Sequence, residues 1–190
     1  MSTPVQKNLV SKNEEYASSF TKGSLPLPPA KNYLVGKCLS ITSPPRLQLT
    51  PSLPVTCMDA RIDPAAAYGI DLGDAHVIRN AGGNAKDALR SIVISQQLLG
   101  TNEILVVKHT GCGMLTFDND AAKGVIEKNL GEEGVSALSA FGGDFQPFPD
   151  LEGAVKSDVS LLKSSPLVSK DVTISGWVYE CETGKVRHIV

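Results

Sequence analysis

Two cysteines and one histidine dominate the chemistry open to this chain of 190 residues. Cys57 begins the run Cys57-Met58-Asp59-Ala60-Arg61, and His109-Thr110-Gly111-Cys112 adds an imidazole and a second thiol. Thiolates and imidazole are ligands that zinc prefers, and three firm protein ligands leave the fourth tetrahedral position to water, as in catalytic sites. A short turn lets His109 and Cys112 reach one ion, and Gly111 and Gly113 relieve the crowding of that turn. Asp59 and Arg61 would set a carboxylate and a guanidinium beside the ion. Asp59 as a fourth ligand would instead close the site and make it structural. Without a metal, the same residues would be buried cysteines, a hydrogen-bonded rim histidine and a rim salt bridge.

The elements that must deliver these groups are legible from periodicity. Residues 5–21 read as a largely polar helix stopped by Lys22-Gly23, followed by an extended Leu25–Pro29 linker. Asn32–Val35 begins like a buried strand and Val55–Met58 ends like one. Ala75–Asn80 and Glu103–Lys108 read as further strands, and Val172–Tyr179 as another that turns at Thr183-Gly184 into a hairpin with Val186–Val190. Helices are expected over Asn84–Leu99, with Asn84 as cap and Gly100 as stop, over Phe117–Leu130, and along Leu151, Val155, Val159 and Leu162. Strands alternating with helices give an α/β fold: a mostly parallel sheet with helices on both faces and an antiparallel edge. Sites in such sheets collect at the carboxyl ends of strands, where Cys57, Asn80–Gly83 and His109–Cys112 all fall.

Composition narrows the classes. Hydrophobic residues make up 42% and charged residues 20%, with a net charge of −2, as in ordinary globular domains. No basic patch points to nucleic acid, and no apolar run is long enough to span a membrane. Cytoplasmic residence is the expectation, with an organelle as the alternative. The four cysteines, Cys38, Cys57, Cys112 and Cys181, are too few for a disulfide scaffold. Cys181, in an apparent turn, reads as a solvent-facing free thiol. His76 and His188 are candidate proton shuttles by residue type alone, and the plainer structural reading is preferred for both.

Cys57-Met58-Asp59-Ala60-Arg61-Ile62-Asp63-Pro64, Val77-Ile78-Arg79-Asn80-Ala81-Gly82-Gly83 and His109-Thr110-Gly111-Cys112-Gly113-Met114 together resemble the β-class carbonic anhydrases. The resemblance implies a parallel four-stranded sheet with an added antiparallel edge strand, and zinc held by Cys57, His109 and Cys112. It implies reversible hydration of CO2 to bicarbonate and a proton through zinc-bound hydroxide. Asp59 and Arg61 would be the family's catalytic dyad, with Asp59 a possible fourth ligand in a closed state. Gly82, Gly83 and Gly113 would line the substrate pocket with backbone N–H groups, and Asn80 would tie the rim together. The working unit would be a homodimer or a multiple of dimers. Residues 1–30 would then be a helical arm and linker, and 31–190 the single catalytic domain.

Two alternatives stand beside this reading. Compact relatives hydrolyse carbonyl sulfide or carbon disulfide with the same metal site, and a non-catalytic zinc protein closed by Asp59 would carry the same residues. One segment departs from the family pattern. Residues 36–54, rich in Pro, Ser and Leu, interrupt a strand that would otherwise run from Val35 into Val55. Its composition and its Gly-Lys start suggest a translated intron, with a genuine surface loop as the competing reading.

Overall fold

The computed structural model describes residues 3–26 and 52–190. The expected half-strand at 32–35, Cys38 and most of the anomalous segment lie outside the described residues. Helix α1 (Pro4–Ser19) starts where Thr3 caps it in a reciprocal box with Gln6. It buries none of its residues, although Val5, Leu9 and Tyr16 are apolar and exposed.

A five-stranded sheet forms the body, in the order β2-β1-β3-β4-β5. Its strands are β1 (Ser52–Cys57), β2 (Ile78–Asn80), β3 (Glu103–His109), β4 (Thr173–Glu180) and β5 (Lys185–His188). The first four run parallel, and β5 pairs antiparallel with β4 to close the edge. This is the sheet the alternation of elements implied. Helices α3 (Ala85–Leu99) and α5 (Leu151–Ser164) cover one face, where Leu53, Val55, Ile92, Ile104, Val106 and Leu162 form a buried core. On the other face the short helix α2 (Pro64–Tyr68) lies near Leu105, Val107 and Trp177, and the Tyr68 hydroxyl meets Thr56 Oγ1 at 3.0 Å.

Several boundaries differ from those expected. Ser52–Pro54, assigned from sequence to the anomalous segment, form the first half of β1. Proline is tolerated there because only β3 runs beside Pro54, while β2 joins the ladder at Val55. The second strand is shorter than expected, and His76 precedes it. Helix α2 escaped notice because it is a single turn capped by Asp63, too short to show periodicity. Helix α4 (Asn119–Ala137) runs beyond Leu130 through a break at Gly131, whose φ of 71° ends regular helical geometry locally.

Candidate metal centre

The three strand ends that carry chemistry meet at one rim. Cys57 closes β1 beside Asn80 of β2, and His109 closes β3, the central strand. The turn after His109 returns Cys112 to the same spot, and Gly111 takes φ 61° to make that return. The sulfurs of Cys57 and Cys112 and one nitrogen of His109 lie within 4.8 Å of one another, and all three residues are buried.

The histidine is pre-set as a ligand. Its Nδ1 stands 2.9 Å from Thr110 O, and a carbonyl can only accept, so the ring proton sits on Nδ1. Nε2 is thereby left with a free lone pair, and it has no hydrogen-bond partner although it is buried. An orphaned buried nitrogen is costly unless something absent from the polypeptide completes it. The thiols point the same way. A hydrogen bond with Cys112 is the largest influence holding Cys57 below the ordinary thiol range, and the reciprocal bond pushes Cys112 above it. A divalent soft-leaning cation would replace that shared proton, and the donor set of two sulfurs and one imidazole suits zinc.

Asp59 lies close to the centre but is held by Arg61. Arg61 Nε donates to Oδ1 at 2.9 Å and its terminal nitrogen to Oδ2 at 2.8 Å, a bidentate pair. The Arg61 side chain and backbone N–H keep the Asp59 carboxyl well below its usual range. The same guanidinium donates to Gly111 O at 3.0 Å. Asp59 Oδ2 lies 3.8 Å from His109 Nε2. Arg79, which sequence reasoning quoted within a motif but gave no role, donates to Cys57 O at 3.1 Å and to Asp59 O at 2.7 Å, fixing the loop that carries both. Asn80 accepts from the Asn84 N–H and donates to its carbonyl, closing the Ala81–Gly83 turn.

The glycines separate. Gly82 and Gly83 are buried, and Gly83 packs so closely on β1 that an added Cβ would stand 3.0 Å from Cys57 N. Gly113 is exposed with open space beside it. Cys181 is less free than its turn suggested, because it is half-buried with Sγ 3.4 Å from His109 Nδ1. His76 bonds Ser95 Oγ at 2.7 Å, and His188 packs edge-on to Trp177, so both have structural partners.

A parallel α/β sheet bearing two cysteines and a histidine poised for zinc at its carboxyl rim defines a class of metalloenzyme. The family model described as carbonic anhydrase matches residues 52–186. Beta-carbonic anhydrase 1 of Mycobacterium tuberculosis is 36% identical over 186 residues, covering 97% of this chain and 98% of that protein. The solved carbonic anhydrase from Glaciozyma antarctica is 43% identical with a TM-score of 0.84, covering 100% of both chains. Carbon disulfide hydrolase of Saccharolobus solfataricus is 40% identical over 151 residues, covering 70% of this chain and 74% of that protein. The chain belongs to the β-carbonic anhydrase family.

Proposed function

We propose that this protein is a zinc-dependent carbonic anhydrase that interconverts CO2 and bicarbonate, with Cys57, His109 and Cys112 as metal ligands. The observation that carries the reading is the buried, unpartnered Nε2 of His109, in a residue whose ring has a nitrogen within 4.8 Å of two cysteine sulfurs. Zinc bound there supplies a Lewis acid that lowers the pKa of a coordinated water from about 15.7 to near 7.

The chain's own residues do the rest. Asp59 accepts a hydrogen bond from the reacting water and so aims its lone pair at the carbon of CO2. Arg61 keeps Asp59 ionised and turned away from the metal, which supports an open site over the closed, non-catalytic alternative. The Gly113 backbone contributes to the pocket wall. Gly82 and Gly83, both buried and with Gly83 packed against β1, shape that pocket from behind the proposed ligands. Protons leave through water and buffer, because both free-standing histidines have other partners.

We read the N-terminal helix as an arm that packs on a second copy in a homodimer or a multiple of dimers, which accounts for its exposed apolar residues. A reducing cytoplasm suits a site built on two thiolates. Among the described residues no helix is long and apolar enough to cross a membrane.

The test is metal content and two assays on one preparation. Stoichiometric zinc with CO2 hydration is the expected result. H2S release from carbon disulfide or carbonyl sulfide without CO2 hydration would assign the hydrolase activity that the S. solfataricus relative is named for. Asp59→Ala is expected to retain zinc and lose about a hundredfold in turnover, roughly 2.7 kcal/mol of barrier. Full activity in that variant would remove Asp59 from the reaction.

A further inference from the structure

A histidine that offers Nε2 to an ion must have its ring held at the other end. In His109 that end is Nδ1, which donates to Thr110 O at 2.9 Å with the Cys181 sulfur beside it at 3.4 Å. The accepting carbonyl belongs to the very next residue, so its direction depends on how the Thr110 peptide is fixed. Gly111 follows with φ 61°, and a glycine restrains its neighbours little. Lys108, on the other side of His109, points to the opposite face of the sheet. There its ammonium pairs with Asp158 Oδ2 at 2.9 Å and donates to Gly82 O at 3.0 Å, away from the ring.

The restraint on Thr110 comes from the β4–β5 hairpin. Its N–H donates to Tyr179 O at 3.0 Å, which carries the β3–β4 pairing one residue past His109. Its hydroxyl accepts the Cys181 N–H at 3.0 Å and donates to Glu182 Oε2 at 2.7 Å. The hydroxyl proton is thus committed to a carboxylate, and such a charge-assisted bond is stronger than a neutral one. Glu182 is exposed and sits in the tight turn at 181–184. That turn is itself closed by the Gly184 N–H, which returns to Glu180 O at 2.8 Å. The reaction above uses neither Thr110 nor Glu182. We propose that both are positioning residues for the metal centre: Glu182 holds the Thr110 hydroxyl, the Thr110 peptide is fixed in consequence, and its carbonyl keeps the His109 ring turned with Nε2 free for the ion. Outer partners of a ligand histidine commonly set its orientation and its strength as a ligand in this way. This inference rests on the zinc reading of the site.

The test uses the full chain. Thr110→Val keeps the outline of the side chain and removes the hydroxyl. It should bind zinc about tenfold more weakly in chelator competition. Thr110→Ser, which keeps the hydroxyl, should bind as the wild type does. Glu182→Ala should weaken binding by up to about tenfold. The double variant Thr110→Val with Glu182→Ala should be no weaker than Thr110→Val alone, because both changes remove one bond. The spectroscopic readout is the Nδ1 proton of His109 in cobalt(II)-loaded protein, whose NMR signal the paramagnetic ion moves clear of the rest. That proton should exchange with solvent faster in Thr110→Val and in Glu182→Ala than in wild type, a change that a hydroxyl serving only the fold would not produce. Unchanged zinc affinity or unchanged exchange in Thr110→Val would overturn the proposal. If Thr110→Val does not fold, the exposed Glu182→Ala decides, and wild-type affinity and exchange there overturn it. Zinc uptake by wild type with unaltered variants sinks this inference alone, whereas wild-type protein that takes up no zinc removes the zinc reading and this inference with it.

Discussion

Lys108 and His109 are neighbours on β3, both fully buried, and their polar ends meet opposite fates. The lysine ammonium has found a carboxylate, two carbonyls and a ring face within its own chain. The histidine Nε2 has no hydrogen-bond partner. Successive residues of a strand point to opposite faces, so one strand end serves two environments. The contrast separates a supporting polar group from a ligand in a buried setting. Complete satisfaction marks the support, and one missing partner, in a ring whose other nitrogen is already fixed, marks the place where a foreign atom belongs.

Three measurements probe the two sides of that contrast. The largest effect is expected at the satisfied side. Lys108→Met alone strands the Asp158 carboxylate, so denaturant unfolding should show a loss of about 3–5 kcal/mol whether or not zinc is present. A loss confined to the zinc-loaded protein would mean that the pair contributes only through the metal. On the unsatisfied side, Cys112→Ser should change the stability of metal-free protein little and abolish the rise in melting temperature on adding zinc. For a wild-type site with zinc at a hundredfold over its dissociation constant that rise reflects about 2.7 kcal/mol. Stoichiometric zinc in the variant would contradict the ligand assignment.

The smallest effect concerns pH. The Asp59 carboxyl is held below its ordinary value by Arg61, so the pair's contribution is complete above the unfolded value of about 3.9 and lost only as pH falls through the lower folded value. The carbon-13 signal of the Asp59 carboxyl should therefore stay flat from about pH 8 to about pH 5. A titration step inside that window would show the pair to be weaker than its geometry implies.

The proposed ligands were legible in the sequence because their chemistry is rare and local. A cysteine with a carboxylate and a guanidinium just beyond it, and a histidine with a cysteine three positions on, say what they are without a fold. The parallel sheet was equally readable, since alternating apolar runs and amphipathic helices allow few arrangements. The Lys108–Asp158 pair was not. Lys108 looked like the polar end of an apolar strand, and its partner lies far along the chain on a helix whose apolar stripe alone was visible. The same holds for Cys181, whose turn suggested solvent, whereas the pairing of Tyr179 with His109 brings the following residues back against the imidazole. Local patterns report propensity, and these contacts are made by register. Pro54 shows the converse. A residue read as a strand breaker sits inside β1, because tertiary context left its missing donor unneeded on one side.

The reach of Arg61 to Gly111 O has a mechanical consequence. That one guanidinium staples the loop leaving β1, which carries Asp59, to the loop leaving β3, which carries Cys112. Parting of the loops breaks that contact, while the bidentate pair and the Arg61 backbone N–H still hold Asp59. On the zinc reading, the rim can therefore loosen around Cys112 while the carboxylate keeps its aim, so escape of the ion and misdirection of the attacking water are separable events.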